Sequence, residues 1–297
     1  MDIEEKYIDF EGYKTYVRIV NPKGKKTPLL FLHGGPGSTH NSFEVLDRFA
    51  FEDDRPFIMY DQLGCGLSFI DGNPSLWKKE TWAKELINLR EKLSLEKIHL
   101  LGHSWGGMLA IIYLCDYKSE GIQSVTLSST LSSASLWREE THRLITFLPK
   151  EEQEDIRKGE EKGDYTSLEF TSAMNDYYHH FVFGVFQKGK DPDCLTRPKK
   201  NGHEAYRAAW GPSEFNPLGT LRDYEYTDKL STITCPVQLF SGANDESTPL
   251  QNKIMYEKLG SKDKNWFLFA KSRHMTYYEE NDLYGAKLLS FLNREDK

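Results

Sequence analysis

The stretch IHLLGHSWGGMLAIIYLC, residues 98–115, decides the fold of this chain. Residues 98–101 form an apolar run that is typical of a buried strand, and residues 106–115 form an apolar segment typical of a buried helix. Between them, residues 102–106 match the pattern G-x-S-x-G of a sharp strand-to-helix turn. The serine of such a turn has strained backbone geometry, and the flanking glycines lack the side chains that would clash there. The stretch therefore predicts that Ser104 is a nucleophile.

Strand-like and helix-like segments alternate on both sides of this turn. Short apolar strands that alternate with helices indicate an α/β fold, in which a mostly parallel sheet carries helices on both faces. The predicted strands are residues 13–20, 28–32, 56–60, 98–101, 124–128, 236–241 and 266–270, and the predicted helices are residues 81–93, 106–115 and 283–293.

The strand pattern is interrupted after residue 130. Residues 131–227 are helix-like and rich in aromatic residues, and their 17 acidic and 13 basic side chains carry −4 of the net charge of −7. We therefore predict an α/β core of residues 1–130 and 228–297, and an inserted helical cap domain of residues 131–227. A cap at this place would cover the carboxyl ends of the strands, where open α/β sheets bind their ligands.

The composition excludes several classes of protein. Of the 297 residues, 38% are hydrophobic and 28% are charged, which excludes a disordered chain and a small disulfide-stabilised scaffold. The acidic net charge and the lack of basic blocks argue against a nucleic-acid partner. No apolar run reaches the ~20 residues of a membrane span. Residues 1–10 lack the basic and apolar segments of a signal peptide.

The four cysteines indicate free thiols. Cys65, Cys115, Cys194 and Cys235 show no CxxC spacing and no neighbouring histidine cluster, which argues against structural zinc. We therefore predict a cytoplasmic protein without a metal or an organic cofactor. The sequence does not indicate the oligomeric state.

A catalytic serine needs a base, because its hydroxyl is a weak nucleophile. In folds with this turn, the chain order is serine, acid, histidine. The strand at 236–241 leads into Asp245 and Glu246, and the strand at 266–270 leads into His274. We expect His274 to accept the serine proton and Asp245 to orient the imidazole. Because Glu246 is adjacent, either acid could face the histidine, and Asp245 is the preferred assignment.

The tetrahedral intermediate of acyl transfer needs backbone N–H donors, which form an oxyanion hole. One donor is expected from Trp105, directly after the nucleophile. The loop HGGPG, residues 33–37, follows an early strand and supplies the other, for which Gly35 is the candidate because Pro36 has no N–H. No Lys-Ser/Thr pair follows this loop, which argues against a phosphate-binding role.

These motifs together resemble the prolyl aminopeptidase (proline iminopeptidase) family of α/β hydrolases, and especially its short bacterial members, such as those of lactic-acid bacteria. The resemblance implies an α/β-hydrolase core with a helical cap, and a serine peptidase that releases N-terminal proline from short peptides. It also implies that Glu214 and Glu246 bind the free amine of the substrate. The segments that carry the resemblance are GHSWGG at 102–107, HGGPG at 33–37, DQLGCGLS at 61–68, WGPSEF at 210–215, and Asp245-Glu246.

The implied amine site makes chemical sense. An N-terminal proline is a secondary ammonium with two N–H donors, and two carboxylates would satisfy both with charge-assisted hydrogen bonds. A blocked N-terminus would leave those carboxylates unpaired and would be rejected. The Trp105 side chain is a candidate for the proline pocket, to which cap aromatics such as Phe181, Phe183 or Tyr206 could contribute. An aromatic cluster in a helical cap more often forms its apolar core, so none of the three is assigned to the site. Residues 61–68 are expected to support the oxyanion loop, with Cys65 a candidate target of thiol reagents.

Two other functions share parts of this pattern. An amino-acid amidase or a carboxylesterase on the same scaffold would use the same triad without the amine site. A non-catalytic binding protein fits less well, because every catalytic position is filled. A dehalogenase or an epoxide hydrolase would need an aspartate in place of Ser104.

Overall fold

The computed structural model describes residues 2–117 and 120–296, and an eight-stranded sheet forms its centre. The strands are β1 (Ile3–Phe10), β2 (Tyr13–Val20), β3 (Leu29–Leu32), β4 (Phe57–Asp61), β5 (Ile98–His103), β6 (Ile122–Ser128), β7 (Val237–Gly242) and β8 (Lys264–Phe269). Their order across the sheet is β1-β2-β4-β3-β5-β6-β7-β8.

Helices connect the strands and cover the sheet. The α-helices are α1 (Asp47–Glu52), α2 (Lys79–Lys92), α3 (Trp105–Asp116), α4 (Ala134–Ile145), α5 (Lys150–Lys162), α6 (Leu168–Phe181), α7 (Asp193–Thr196), α8 (His203–Ala209), α9 (Pro249–Lys258), α10 (Thr276–Glu279) and α11 (Asn281–Glu295). Short 3₁₀ helices occupy His40–Leu46, Gly66–Ser68, Pro74–Leu76 and Asp228–Thr232.

Six of the strands, β3 to β8, run parallel to one another, as the sequence pattern predicts. The other two, β1 and β2, form an antiparallel hairpin that pairs with β4. The sequence pattern predicts β2 but not β1. Most residues of β1 are exposed or half-buried because it is an edge strand, so it lacks the apolar run by which the central strands are recognised.

Both faces of the central sheet are buried. In β3, Leu30 and Leu32 pack into an apolar cluster with residues of α2 and α3, whereas Leu29 and Phe31 pack into a second cluster with residues of α11. Successive side chains of a strand point to opposite faces. A strand between two helical layers therefore needs an uninterrupted apolar run, and this requirement explains the sequence pattern.

The strand order changes direction at β3, which has β4 on one side and β5 on the other. Leu32 at the end of β3 pairs with Gly102 near the end of β5. The loop at residues 33–37 and Ser104 therefore leave the sheet side by side. Such a switch point is where α/β sheets bind ligands.

Five helices, α4 to α8, lie between β6 and β7 in the chain. Several of their residues form an apolar cluster separate from the two clusters that flank the sheet, including Leu144, Ile156, Phe170, Tyr177 and Phe215. We propose that these helices form the cap. Its boundaries at residues 131 and 227 stay a prediction.

The segment before α8 contacts the core through its backbone. The Gly202 N–H donates to the Gly37 carbonyl at 2.7 Å, and the Gly66 N–H donates to the Lys200 carbonyl at 2.7 Å. A Cβ atom on Gly37 would overlap the Gly202 carbonyl oxygen. Residue 37 must therefore be glycine, because the two backbones are in contact there.

Candidate active site

Ser104 lies between β5 and α3 with backbone angles of φ 55° and ψ −123°. A non-glycine residue rarely adopts a positive φ, and it persists only where its surroundings enforce it. The Ser104 N–H donates to the Ser128 carbonyl at 3.0 Å, and Thr130 Oγ1 donates to the Ser104 carbonyl at 2.7 Å. A Cβ atom on Gly106 would overlap the Leu32 carbonyl oxygen, so glycine alone allows α3 to start this close to β3.

His274 and Asp245 form a buried pair at the ends of β8 and β7. His274 Nδ1 lies 2.7 Å from Asp245 Oδ1. The same carboxylate accepts the Ser247 N–H at 2.8 Å and the Gly242 N–H at 3.3 Å. These two backbone bonds fix the carboxylate, which accepts a hydrogen bond from the Nδ1–H group of His274 and so leaves Nε2 as the basic nitrogen.

The structure distinguishes between the two adjacent acids. Asp245 contacts the imidazole directly, whereas Glu246 Oε1 lies 3.9 Å from His274 Nε2, beyond hydrogen-bond distance. Glu246 instead extends toward the cap, and its backbone N–H donates to the Phe181 carbonyl at 3.2 Å. The geometry therefore agrees with the preferred assignment of Asp245 as the partner of the histidine.

The loop at residues 33–37 passes directly over the nucleophile. A Cβ atom built on Gly34 would lie 3.2 Å from the Ser104 Cβ, and the next residue, Gly35, has a φ of 115°. The Trp105 N–H is the first amide of α3, and the first amides of a helix have no acceptor within it. The two predicted oxyanion donors therefore belong to segments that flank Ser104.

Gln62 links the two segments. Its backbone N–H donates to His33 Nε2 and its side-chain amide donates to the His33 carbonyl, both at 3.0 Å. The Trp105 indole N–H donates to Gln62 Oε1 at 2.7 Å. The turn at residues 61–68 thus supports the oxyanion loop, as the sequence predicts.

Glu214 and Glu246 form a pair of acids near the triad. Tyr206 donates its hydroxyl proton to Glu214 Oε2 at 2.6 Å. The Glu214 carbonyl accepts the indole N–H groups of Trp137 at 3.1 Å and Trp210 at 3.2 Å, and these bonds fix the backbone of its loop. Glu246 is 2% exposed, and its Oε2 atom has no hydrogen-bond partner among the described residues.

Burial raises the pKa of both acids. The pKa of Glu246 lies well above its usual range, because of its burial and then because of the nearby charges of Glu214 and Asp245, although Tyr177 acts in the opposite direction. Burial also raises the pKa of Glu214, although Tyr206 and His274 act in the opposite direction. The two acids lower each other's tendency to ionise, so a cation between them would be strongly stabilised.

A single cavity of about 460 Å³ brings these groups together. Its wall includes Gly34, Gly35, Ser104, His274, Glu214 and Glu246, together with aromatic residues that include Tyr178, Phe183 and Tyr206. The expectation for the Trp105 side chain is wrong. Its indole donates a hydrogen bond to Gln62 and packs in the core against Trp82, with ring centroids 5.1 Å apart, so it does not face the cavity. Tyr178 is a wall residue that no sequence motif indicates.

Cys65 is fully buried, and burial raises the pKa of its thiol well above the usual range. A buried thiol that stays protonated reacts slowly, so the structure argues against Cys65 as a target of thiol reagents. Its Sγ atom lies within 4.8 Å of ligand atoms of His33 and Asp61. All three groups make hydrogen bonds within the protein, to partners that include the Gln62 and Leu67 backbones, and these bonds occupy the atoms that a metal would need.

Known proteins match this sequence and this fold. A family model described as the alpha/beta hydrolase fold matches residues 27–281. The chain is 51% identical to the proline iminopeptidase of Lactobacillus acidophilus, and the match covers 100% of both chains. The chain belongs to the proline iminopeptidase family of α/β hydrolases. The proline iminopeptidase of Clostridium botulinum is 50% identical, again over 100% of both chains.

A crystal structure from the same family agrees with the fold. The proline iminopeptidase of Mycobacterium smegmatis matches 99% of both chains with a TM-score of 0.86 and 28% identity. The predicted family and the predicted α/β-hydrolase fold are therefore confirmed. In the part of the chain that the structure describes, no helix has both the length and the apolar character that crossing a membrane requires.

Proposed function

We propose that this protein is a prolyl aminopeptidase, a serine hydrolase that releases N-terminal proline from short peptides. The observation that carries the proposal is the pair of acids, half-buried Glu214 and buried Glu246, in the cavity that contains Ser104. A neutral or anionic substrate would leave these acids unpaired. The full-length relatives at about 50% identity, which are proline iminopeptidases, support the same activity.

Substrate binding begins at the two acids. Glu214 and Glu246 each accept one N–H of the prolyl ammonium, and Tyr206 keeps Glu214 in position. The aromatic residues Tyr178 and Phe183 in the cavity wall provide apolar surface for the pyrrolidine ring. Binding at this end places the prolyl carbonyl carbon at Ser104.

Acylation uses the triad. Ser104 Oγ transfers its proton to His274 Nε2 and attacks the prolyl carbonyl carbon, while Asp245 stabilises the resulting imidazolium. The carbonyl oxygen becomes an oxyanion and accepts hydrogen bonds from the Gly35 and Trp105 amides. His274 then donates the proton to the leaving nitrogen, and the C–N bond breaks. The products are a prolyl-serine ester and a peptide that is shorter by one residue.

Deacylation repeats these steps with water. His274 Nε2 accepts a proton from a water molecule, which attacks the ester carbonyl, and the same two amides stabilise the second oxyanion. The proton returns to Ser104 Oγ as proline leaves. The cycle needs no group from outside the chain except water.

A three-substrate assay tests the proposal against the amidase and carboxylesterase alternatives. Prolyl p-nitroanilide, the same anilide with a blocked nitrogen, and a simple p-nitrophenyl ester require the same triad but differ in the amine. We expect the free prolyl anilide to have the highest kcat/KM and the blocked form to be cleaved at least tenfold more slowly. Equal cleavage of the free and blocked anilides would exclude an amine site.

We also propose where the protein is located and what it binds. The structure shows Cys65, Cys115, Cys194 and Cys235 as free thiols, which agrees with a reducing compartment, and the cytoplasm stays the predicted location. We propose that short peptides with a free N-terminal proline are the substrates and that neither nucleic acid nor a membrane is a partner.

A further inference from the structure

The catalytic cavity contains a cation that the reaction described above does not use. Lys199 lies between α7 and α8 and lines the cavity together with Ser104 and Glu214. Among residues 2–117 and 120–296, no side chain forms an ion pair or a hydrogen bond with its ammonium. A substrate group is therefore free to bind there.

Lys199 is also part of the wall of a second cavity of about 870 Å³, which lies beside the first. This second cavity has three other lysine or arginine side chains, and each of them has a partner in the protein. The partners are Asp47 for Arg18 at 2.8 Å, Glu44 for Arg197, and the ring of Phe69 for Lys200 at 4.4 Å. Lys199 differs from these cations because its ammonium remains available.

The acids nearest to Lys199 are already occupied. Glu44 and Asp61 contribute to the electrostatic field at Lys199. Glu44 accepts a hydrogen bond from Arg197. Asp61 accepts hydrogen bonds from the backbone N–H of His40 at 2.9 Å and from its ring Nδ1 at 2.7 Å. Because these carboxylates already have partners, neither forms an ion pair with Lys199.

The positive and negative groups of the cavity lie apart from each other. Glu214 and Glu246 line the catalytic cavity but not the second cavity. Lys199 lines both cavities, so it lies on the side of the catalytic cavity that borders the second one. The cavity is therefore acidic at the amine site and basic at Lys199.

We propose that Lys199 binds the free α-carboxylate of a short peptide whose N-terminal ammonium is bound by Glu214 and Glu246. The inference rests on the proposed function and adds a site for the leaving part of the substrate. A peptide of two or three residues is a zwitterion whose charges are separated by about 3.3–3.6 Å for each residue. A cavity of this size with one acidic and one basic end fits such a molecule.

The pKa of the Lys199 ammonium agrees with this role. Although Lys199 is an exposed residue, desolvation by its neighbours lowers the pKa of its ammonium. An anion bound beside a partly desolvated ammonium stabilises its charged form, and the interaction is stronger than between two fully hydrated groups.

The test compares each peptide with its C-terminal amide. Pro-Ala and Pro-Ala-Ala, their amides and prolyl p-nitroanilide are assayed with the wild-type protein and with Lys199→Gln. We expect the variant to lower kcat/KM about fivefold for at least one free acid. The amides and the anilide, which carry no carboxylate, should be unaffected.

Lys200→Gln is the matched control, because Lys200 is the next residue and lines only the second cavity. It should leave all five substrates unchanged. For the wild type, the ratio of kcat/KM for a free acid to kcat/KM for its amide should also fall in 1 M salt, because salt screens an accessible ion pair. The same ratio for Lys199→Gln should not change.

Equal effects of Lys199→Gln on the acids and on their amides, or no effect on either acid, would overturn the inference. Failure of the proposed function gives a different result, since the wild type would then not cleave prolyl p-nitroanilide, which has no carboxylate for Lys199 to bind.

Discussion

The proposed catalytic residues Ser104 and His274 and the proposed amine site share one cavity, yet the two sites differ in charge balance. Asp245 accepts bonds from His274 and from two backbone amides, so its charge is compensated in the free protein. Glu246 is equally buried, but one of its oxygens has no partner among the described residues, and its nearest charges include Glu214 and Asp245. The Asp245–His274 pair is satisfied without substrate, whereas the proposed amine site lacks a cation.

This difference shows how one cavity separates catalysis from recognition. Groups that carry out the chemistry must be in place before the substrate arrives. Groups that select the substrate discriminate better when they have no partner in the free protein. A substrate without the matching charge then cannot offset the free-energy cost of keeping these groups away from water. The following variants act on one region while leaving the other unchanged.

The largest effect is expected for Ser104→Ala. Loss of the nucleophile should lower kcat for prolyl p-nitroanilide by about 10⁴-fold or more. The substitution removes one oxygen atom and keeps the amine site, so binding of proline as a competing ligand and the melting temperature should change little. Turnover close to that of the wild type would assign the chemistry to another residue.

Glu246→Gln should have a smaller and more selective effect. The variant loses one charge-assisted bond to the ammonium, so kcat/KM for the free prolyl anilide should fall about 10–100-fold. Cleavage of a p-nitrophenyl ester should stay within about twofold, since the triad is unchanged. Glu151→Gln, at an exposed residue of the cap, is the control. An equal loss on both substrates would place Glu246 in the chemistry.

Tyr206→Phe removes the bond to Glu214 and keeps the ring in the cavity wall. We expect KM to rise about fivefold with little change in kcat. The Tyr206 hydroxyl lowers the pKa of Glu214, so its loss should raise that pKa and shift the acidic limb of the kcat/KM profile to higher pH. Tyr165→Phe, elsewhere in the cap, should move neither quantity. An unshifted limb would contradict a positioning role for Tyr206.

The smallest effect concerns stability. The pKa of Glu246 is higher in the folded than in the unfolded protein, so ionisation destabilises the fold as pH rises from about 4.3 through the folded value. Glu246→Gln removes this penalty and should raise the melting temperature by about 2 °C or more at pH 7. The gain should disappear toward pH 4, where the acid is protonated in both states. A lower melting temperature at both pH values would refute the charge imbalance.

The sequence predicts the parts of the molecule that depend on local patterns. Apolar runs locate the six parallel strands, of which β3 to β7 are interior strands of the sheet, and G-x-S-x-G locates Ser104 between β5 and α3. The chain order of the catalytic residues then leads to His274. The edge strand β1 is missed because only part of it is buried.

Other features depend on contacts between distant segments. Adjacent acids cannot be assigned from order alone, and Asp245 is distinguished from Glu246 by distances of 2.7 and 3.9 Å to the imidazole. The buried position of the Trp105 indole depends on Gln62, which is 43 residues away in the chain. Lys199 lies in a stretch without any motif, and only the folding of the cap onto the core brings it into the cavity.

The backbone contact between Gly202 and Gly37 has a mechanical consequence. It joins the segment that carries Lys199 to the loop that carries the proposed oxyanion donor Gly35. Any movement of the cap at this side would displace the oxyanion loop as well. Cap mutations that loosen this contact should therefore reduce turnover and not only substrate affinity, and we expect substrates to enter on another side of the cap.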